Sequence, residues 1–330
     1  MRRPVRRKLL TSIVATVLCA GAGLYINFAA HRNDAAAGAT GAVDISPGPR
    51  LLVRSTADGA IGHLAVVSAA DPRGPRSTSA VSCNRVYAAG GTAICLRPDG
   101  PLATYQVAVL GPHLEERDSY PMVGVPNRAR VSADGRLVTW TAFVTGDSYN
   151  GGRFSTRVGV LDVSTGDLVV DTLESFRLLR DGKPYRAADI NYWGVTVATD
   201  DRTFYATMST AGHRYLVRGD FASRTVRTVA ENVECPSLSP DGTRIAFKQA
   251  IGGDPGRGWR PAVLDLATLR ATVLAETRSV DDQIAWLDPR TVMYALHRDA
   301  DHADVWSVPA DGGGAPAVLV PDAESPAYLG

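Results

Sequence analysis

Lysine is almost missing from this chain. Only Lys8, Lys183 and Lys248 occur in 330 residues, and arginine carries the remaining positive charge. Acids and bases nearly cancel, leaving a formal net charge of +1. Beyond the N-terminus no basic run is found, so nothing draws the chain toward nucleic acid. A GxSxG nucleophile elbow is absent. No long amphipathic helical pattern follows residue 50. Long apolar runs are missing too, with one exception at the start.

That exception spans Leu9 to Ala30, where no charge interrupts roughly 22 residues, enough to cross a bilayer core as a helix. Arg2, Arg3, Arg6, Arg7 and Lys8 precede it in residues 1–8, and such a cluster stays cytoplasmic by the positive-inside rule. The reading is a transmembrane signal-anchor over 9–30, a flexible linker over 31–49, and an exported domain over 50–330. The alternative is a cleaved signal peptide, whose apolar region is ordinarily only about 7–15 residues. Both place the domain on the extracytoplasmic side, at the cell membrane or secreted. Cysteine usage fits: Cys83 and Cys95 flank the turn-like VYAAGGT and are expected to form a disulfide, with two small buried thiols as the alternative. Cys235 has no evident partner.

What is present is a repeated hairpin. Residues 235–247 read CPSLSPDGTRIAF. Pro240 presets φ for a turn, Asp241 suits the next position, and Gly242 accepts positive φ. Thr243, Ile245 and Phe247 then alternate with Arg244, Ala246 and Lys248, a strand signal. ARVSADGRLVTW at 129–140, QIAWLDPRTVMY at 283–294 and DINYWGVTVATDDRTFYA at 189–206 repeat the pattern. CNRVYAAGGTAICL, at Cys83 to Leu96, is a weaker copy. A second hairpin follows each clear copy, as in PAVLDLATLRATVLA after Phe247. Four short strands over roughly 40–55 residues describe a propeller blade. The expectation is an all-β, six-bladed β-propeller of four-stranded antiparallel blades, preceded by the N-terminal transmembrane helix. The first blade lacks an inner strand. ESPAYL at 324–329 resembles the start of ECPSLS at 234–239 and is expected to supply it, closing the ring.

LSPDGTRIAF followed by VLDLATL resembles the WD-like repeats of TolB-type six-bladed propellers, of a membrane-anchored, actinobacterial type. The resemblance covers about residues 50–330 and is strongest at 233–275. It implies an exported propeller that binds other proteins. It also shades into the propellers of prolyl-oligopeptidase-like enzymes, whose hydrolase domain has no room here.

Chemistry is sparse. Asp134 and Asp241 are read as turn residues rather than a carboxylate pair. HRDADHAD at 297–304 lacks the glycine and final acid of a calcium loop and the spacing of a zinc site, so it reads as a solvated loop. No catalytic residue, metal site or cofactor is assigned. The loops between second and third strands are long, at 145–155, 251–261 and 297–304, and so is the blade connection at 176–189. Topology gathers them on one face, where Tyr149, Arg153, Arg186, Arg257, Trp259 and Arg260 are the candidate partner-binding residues, being of types enriched at hot spots. The expected partner is a protein or an envelope polymer, with the membrane met through the N-terminal helix and no nucleic acid. Two alternatives are a metal-dependent lactonase- or glycosidase-like enzyme, recognisable by carboxylates or histidines converging at the channel mouth, and a purely structural envelope scaffold.

Overall fold

The computed structural model describes residues 42–100, 104–144 and 155–330. The 9–30 segment read as a membrane anchor lies outside the described residues. Among them, no helix is long and apolar enough to cross a membrane.

Six sheets form the ring. Blade I pairs β26 (Ala323–Tyr328), β1 (Arg50–Ser55), β2 (His63–Ser68) and β3 (Ser77–Ser82), from the channel outward. Blade II holds β4 (Arg85–Ala89), β5 (Thr92–Asp99), β6 (Thr104–Leu110) and β7 (Glu116–Met122). Blade III holds β8 (Val125–Val131), β9 (Leu137–Val144), β10 (Ser155–Asp162) and β11 (Asp167–Val170). In blade IV, β14 (Asn191–Val197), β15 (Thr203–Thr210), β16 (His213–Asp220) and β17 (Thr225–Glu231) form the usual four. Blade V is β18 (Glu234–Leu238), β19 (Arg244–Ala250), β20 (Trp259–Asp265) and β21 (Ala271–Val273). Blade VI is β22 (Ala285–Asp288), β23 (Thr291–His297), β24 (Ala303–Pro309) and β25 (Ala317–Val320).

The C-terminal strand does complete blade I: Leu51 pairs with Tyr328 and Leu52 with Ala327. The likeness of ESP to ECP extends to the backbone, because Ser325 (φ 51°) and Cys235 (φ 50°) both adopt the left-handed conformation. Each sits at a register break of its inner strand.

One blade departs from the expectation. The connection at 176–189 does not stay on one face as a loop. It forms a hairpin, β12 (Arg177–Arg180) and β13 (Lys183–Tyr185), added to the outer edge of blade IV. The strand β12 runs parallel to β17, with Leu178 opposite Val226. Leu178 is buried beside Phe176 and Val226, which an exposed loop would have left in water. Val43 and Ile45 are buried against blade II, and the Ile45 amide donates to the Pro112 carbonyl at 2.7 Å.

Each blade is covered on both sides by its neighbours, so the middle strands read as continuous apolar runs rather than alternating ones. Six apolar clusters follow from this, one for each blade interface. The Cys83–Cys95 disulfide is present, with a Cα–Cα distance of 5.5 Å. It is not the directly opposed pair the flanking positions imply. The hairpin centres on Gly90–Gly91, Cys95 lies opposite Val86, and Cys83 reaches it from the segment entering blade II.

The inner strands start on the face carrying the blade connections and the two-three loops, here the connection face. They end on the face of the tight one-two turns, the turn face.

Candidate functional site

The connection-face mouth of the channel is dense with charge. Carboxylates do converge there: Glu234, Asp281, Asp282 and Glu324 all lie at or just before inner strands. Each is met by a base. Arg54 pairs with Glu324 at 2.7 Å and Arg85 with Asp282 at 3.3 Å. Arg128 reaches from blade III to Asp281 beside blade VI, at 3.3 Å. Lys248 joins Asp281 to Glu234, the latter at 3.6 Å, and Arg214 also pairs with Glu234. Burial pushes the Glu234 carboxyl above the usual carboxylate range, while Lys248 and Arg214 pull the other way. The carboxylates are therefore arms of an ion-pair clamp that ties blades together across the channel. Among the described residues, no group of three or more His, Cys, Asp or Glu is placed to hold a metal ion.

A like-signed pair of side chains leads down from the clamp. Arg128 and Arg130 are two apart on β8 and both buried. The Arg128 Nε donates to the Cys235 sulfur at 3.5 Å. Arg130 donates to the Ile284 carbonyl from across the channel, and its guanidinium lies 4.3 Å from the Tyr87 ring centroid. Burial pulls its pKa down. With Arg85, these arginines reach across the channel to the segment entering blade VI. On their turn-face side lies a cavity of about 240 Å³.

The positions singled out from sequence fare unequally. Tyr149 and Arg153 lie outside the described residues. Trp259 does not offer its ring as a free anchor, because it is only 9% exposed and lies under Lys248, whose Nζ is 4.2 Å from the ring centroid. Arg260 is half-buried, its Nε donating to the Glu276 carbonyl at 2.7 Å. Arg257 is exposed at the tip of the 251–258 loop, whose two short 3-10 turns include the left-handed Gly252. Arg186 is exposed and lines a cleft of about 520 Å³. That cleft exists because of the blade IV edge hairpin. Phe176, Arg177, Tyr185 and Tyr192 line it as well. No ion pair engages Arg177, Arg186 or Arg257 among the described residues.

The 297–304 loop is closed on itself and on blade I. The His302 Nδ1 meets Asp299 at 2.9 Å, and its Nε2 meets Asp58, in the facing loop of blade I, at 3.2 Å. Arg298 pairs with Asp304 and Asp322. Both carboxylates raise the His302 pKa, Asp58 most.

With this geometry in view, two solved structures stand out as similar. One is TolB from Acinetobacter baumannii, 17% identical, with a TM-score of 0.56 over 86% of this chain and 68% of that one. The fold is that of the TolB propeller. The other is a chain of a nidogen/laminin complex, 11% identical, with a TM-score of 0.53 over 86% of this chain and 98% of that one. Such identities establish architecture and nothing of the site. No protein-family model matches the sequence, and no curated protein does.

The clamp arginines escaped the sequence reading although a signal was present. Asn127-Arg128-Ala129-Arg130 places charges inside an inner strand, where a solvated loop cannot account for them. Lys248, one of three lysines, sits likewise inside a strand.

Proposed function

We propose that this protein is a non-enzymatic binding module, a propeller held on the extracytoplasmic side of the membrane by residues 9–30. It engages a protein partner through the cleft at the edge of blade IV and the neighbouring blade V loop. One observation carries this reading: Arg177 and Arg186 line a large open cleft with no ion pair among the described residues, beside Phe176, Tyr185 and the carboxylate of Glu174. The charges at the channel mouth are paired across blades, whereas these two arginines stand beside aromatic rings at an open cleft, a surface suited to another molecule. Arginine and tyrosine are enriched at binding hot spots, and a guanidinium takes a carboxylate in two parallel hydrogen bonds. The partner is thus expected to present an acidic segment. The similarity to a TolB propeller and to a chain of a nidogen/laminin complex supports a protein-binding role. The Cys83–Cys95 disulfide supports an oxidising compartment.

The test is site-specific photocrosslinking in the native envelope. A photoreactive residue at position 186 is expected to give a discrete protein adduct that Arg177→Glu abolishes. The control at position 290, in a turn-face loop, should give none. No adduct at 186, or equal adducts at both positions, would overturn the assignment. An adduct with polymer rather than protein mass would move the partner to the envelope polymers.

A further inference from the structure

We propose that the cavity on the turn-face side of the channel is a binding site for a small carboxylate with an apolar body, held through the guanidinium of Arg130. The site is separate from the blade IV cleft.

Three observations converge. The first is an unanswered charge. Arg130 is only 4% exposed, yet among the described residues no carboxylate lies within ion-pair distance of it. Its neighbours differ in this respect: Arg128 and Lys248, also buried, both meet Asp281. The nearby Asp282 is already paired with Arg85. What Arg130 has are neutral partners. Its Nη2 donates to the Ile284 carbonyl, its Nε reaches the Gln283 amide oxygen at 3.1 Å with that amide in its satisfied orientation, and the Tyr87 ring lies against it. A guanidinium has five N–H donors, so the protein accepts from only part of the fork. Burying a charge without a counter-charge is costly, and a bound anion relieves that cost.

The second observation is the shape and lining. The cavity of about 240 Å³ has Arg130 as its one charged side chain, and Gly330, the last residue of the sequence, lines it without an ion pair to Arg130. No aspartate or glutamate lines it, although Asp134, Asp201 and Asp241 occupy turns on the same face. The walls include Tyr87, Val131, Leu238, Trp286 and Tyr328. An apolar protein cavity of ~150 Å³ holds benzene, so this one has room for a ring or short alkyl chain bearing one carboxylate. The third is position. Arg85, Arg128 and Arg130 reach across the channel to the segment entering blade VI, and the cavity lies on the turn-face side of them, lined by Arg130 and by the turn-face ends of the inner strands. A ligand entering carboxylate first would place charge on the fork and its apolar body against the aromatic walls. A strongly hydrated dianion such as phosphate would gain the first contact and lose on the second.

The experiment uses the full chain in an uncharged detergent, with calorimetry and the fluorescence of the tryptophans, Trp286 being in the wall. Benzoate is the probe, benzamide its uncharged counterpart and inorganic phosphate the anion without an apolar body. Benzoate is expected to bind one site per chain, at least tenfold more tightly than benzamide or phosphate. Arg130→Gln should weaken benzoate at least tenfold with an unchanged far-ultraviolet circular dichroism spectrum. Should that variant fail to fold, the comparison on the unaltered chain decides, joined by Ala133→Trp at the exposed rim, expected to reduce benzoate binding. Equal binding of benzoate and benzamide, tighter binding of phosphate, or no saturation by benzoate would each overturn the proposal.

Discussion

Lys248→Met offers a direct measure of the clamp. Lys248 is the one buried lysine among the described residues, and it bridges Glu234 and Asp281 while resting on the Trp259 ring. The two bridges differ in weight. In the Lys248–Glu234 pair both side chains are 6% exposed, whereas Asp281 is 65% exposed and screened by water. At 3.6 Å, an effective dielectric of ~20 gives about 4–5 kcal/mol of attraction before desolvation is counted. Removing one partner of a buried pair costs ~3–5 kcal/mol, because the other charge is stranded. Glu234 keeps Arg214 and Asp281 keeps Arg128, which puts the expected loss at the lower end, about 3 kcal/mol. Methionine keeps most of the apolar stem and a favourable contact with the indole, so lost packing adds little. Urea unfolding with the disulfide intact, read by circular dichroism, measures the loss from the midpoint and slope.

The pH dependence supplies a second readout with a definite sign. The folded Glu234 pKa lies above its ordinary value, chiefly through burial. Its contribution to stability is therefore fully present below the ordinary carboxylate range and is lost as pH rises through the raised value. Without Lys248 that value rises further. The gap between the parent and Lys248→Met should widen as pH rises above the ordinary carboxylate range and narrow as pH falls back into it. A double-mutant cycle with Glu234→Gln isolates the pair and should return a coupling above ~1 kcal/mol. A loss under ~1 kcal/mol, a gap flat with pH, or no coupling would refute the view that these charges clamp the ring.

Two further outcomes follow from the same architecture. Ending the chain after residue 322 removes β26, leaving β1 as an open channel-side edge and uncovering the buried Leu51, Leu52 and Val53. Limited proteolysis should then cut blade I rapidly and size-exclusion chromatography should show aggregation, while a monomer as resistant as the parent would mean that the C-terminal strand does not close the ring. The His302 bridge between blades VI and I should loosen with rising pH. Its raised pKa means the charged, paired form is present below the ordinary histidine value and lost as pH passes the raised one. Amide exchange in residues 56–62 and 297–304, corrected for intrinsic pH effects, should therefore be more protected at pH 6 than at pH 8, and His302→Ala should remove that difference.

The ring was legible in the sequence because its blades are punctuated by local chemistry. Pro240-Asp241-Gly242 folds as written: Gly242 takes φ 70°, its amide donates to the Ser239 carbonyl at 2.8 Å, and Asp241 accepts from the Thr243 amide at 3.0 Å. Closure by ESPAYL was legible for the same reason, as a copy of a neighbouring inner strand. The edge hairpin at 177–185 was not, because Asp181-Gly182 resembles any loop turn and only the burial of Leu178 against blade IV separates hairpin from loop.

The site was harder to read because its decisive contacts are nonlocal. Trp259 follows a glycine-rich loop and so looked exposed, yet its position as the first residue of β20, opposite Ala250, turns it under Lys248. Arg128 and Asp281 are 153 residues apart, and no spacing rule links them. What the sequence does carry is a constraint on charge inside inner strands: a buried arginine there needs a partner across the channel. Arg85 and Arg128 find one on the segment entering blade VI, and Arg130 does not. The difference lies in where the acids stop. They end at Asp282, two residues before the carbonyl that Arg130 reaches. The ring thus pairs its charges at the connection-face mouth and leaves Arg130 without an ion pair beside its turn-face cavity.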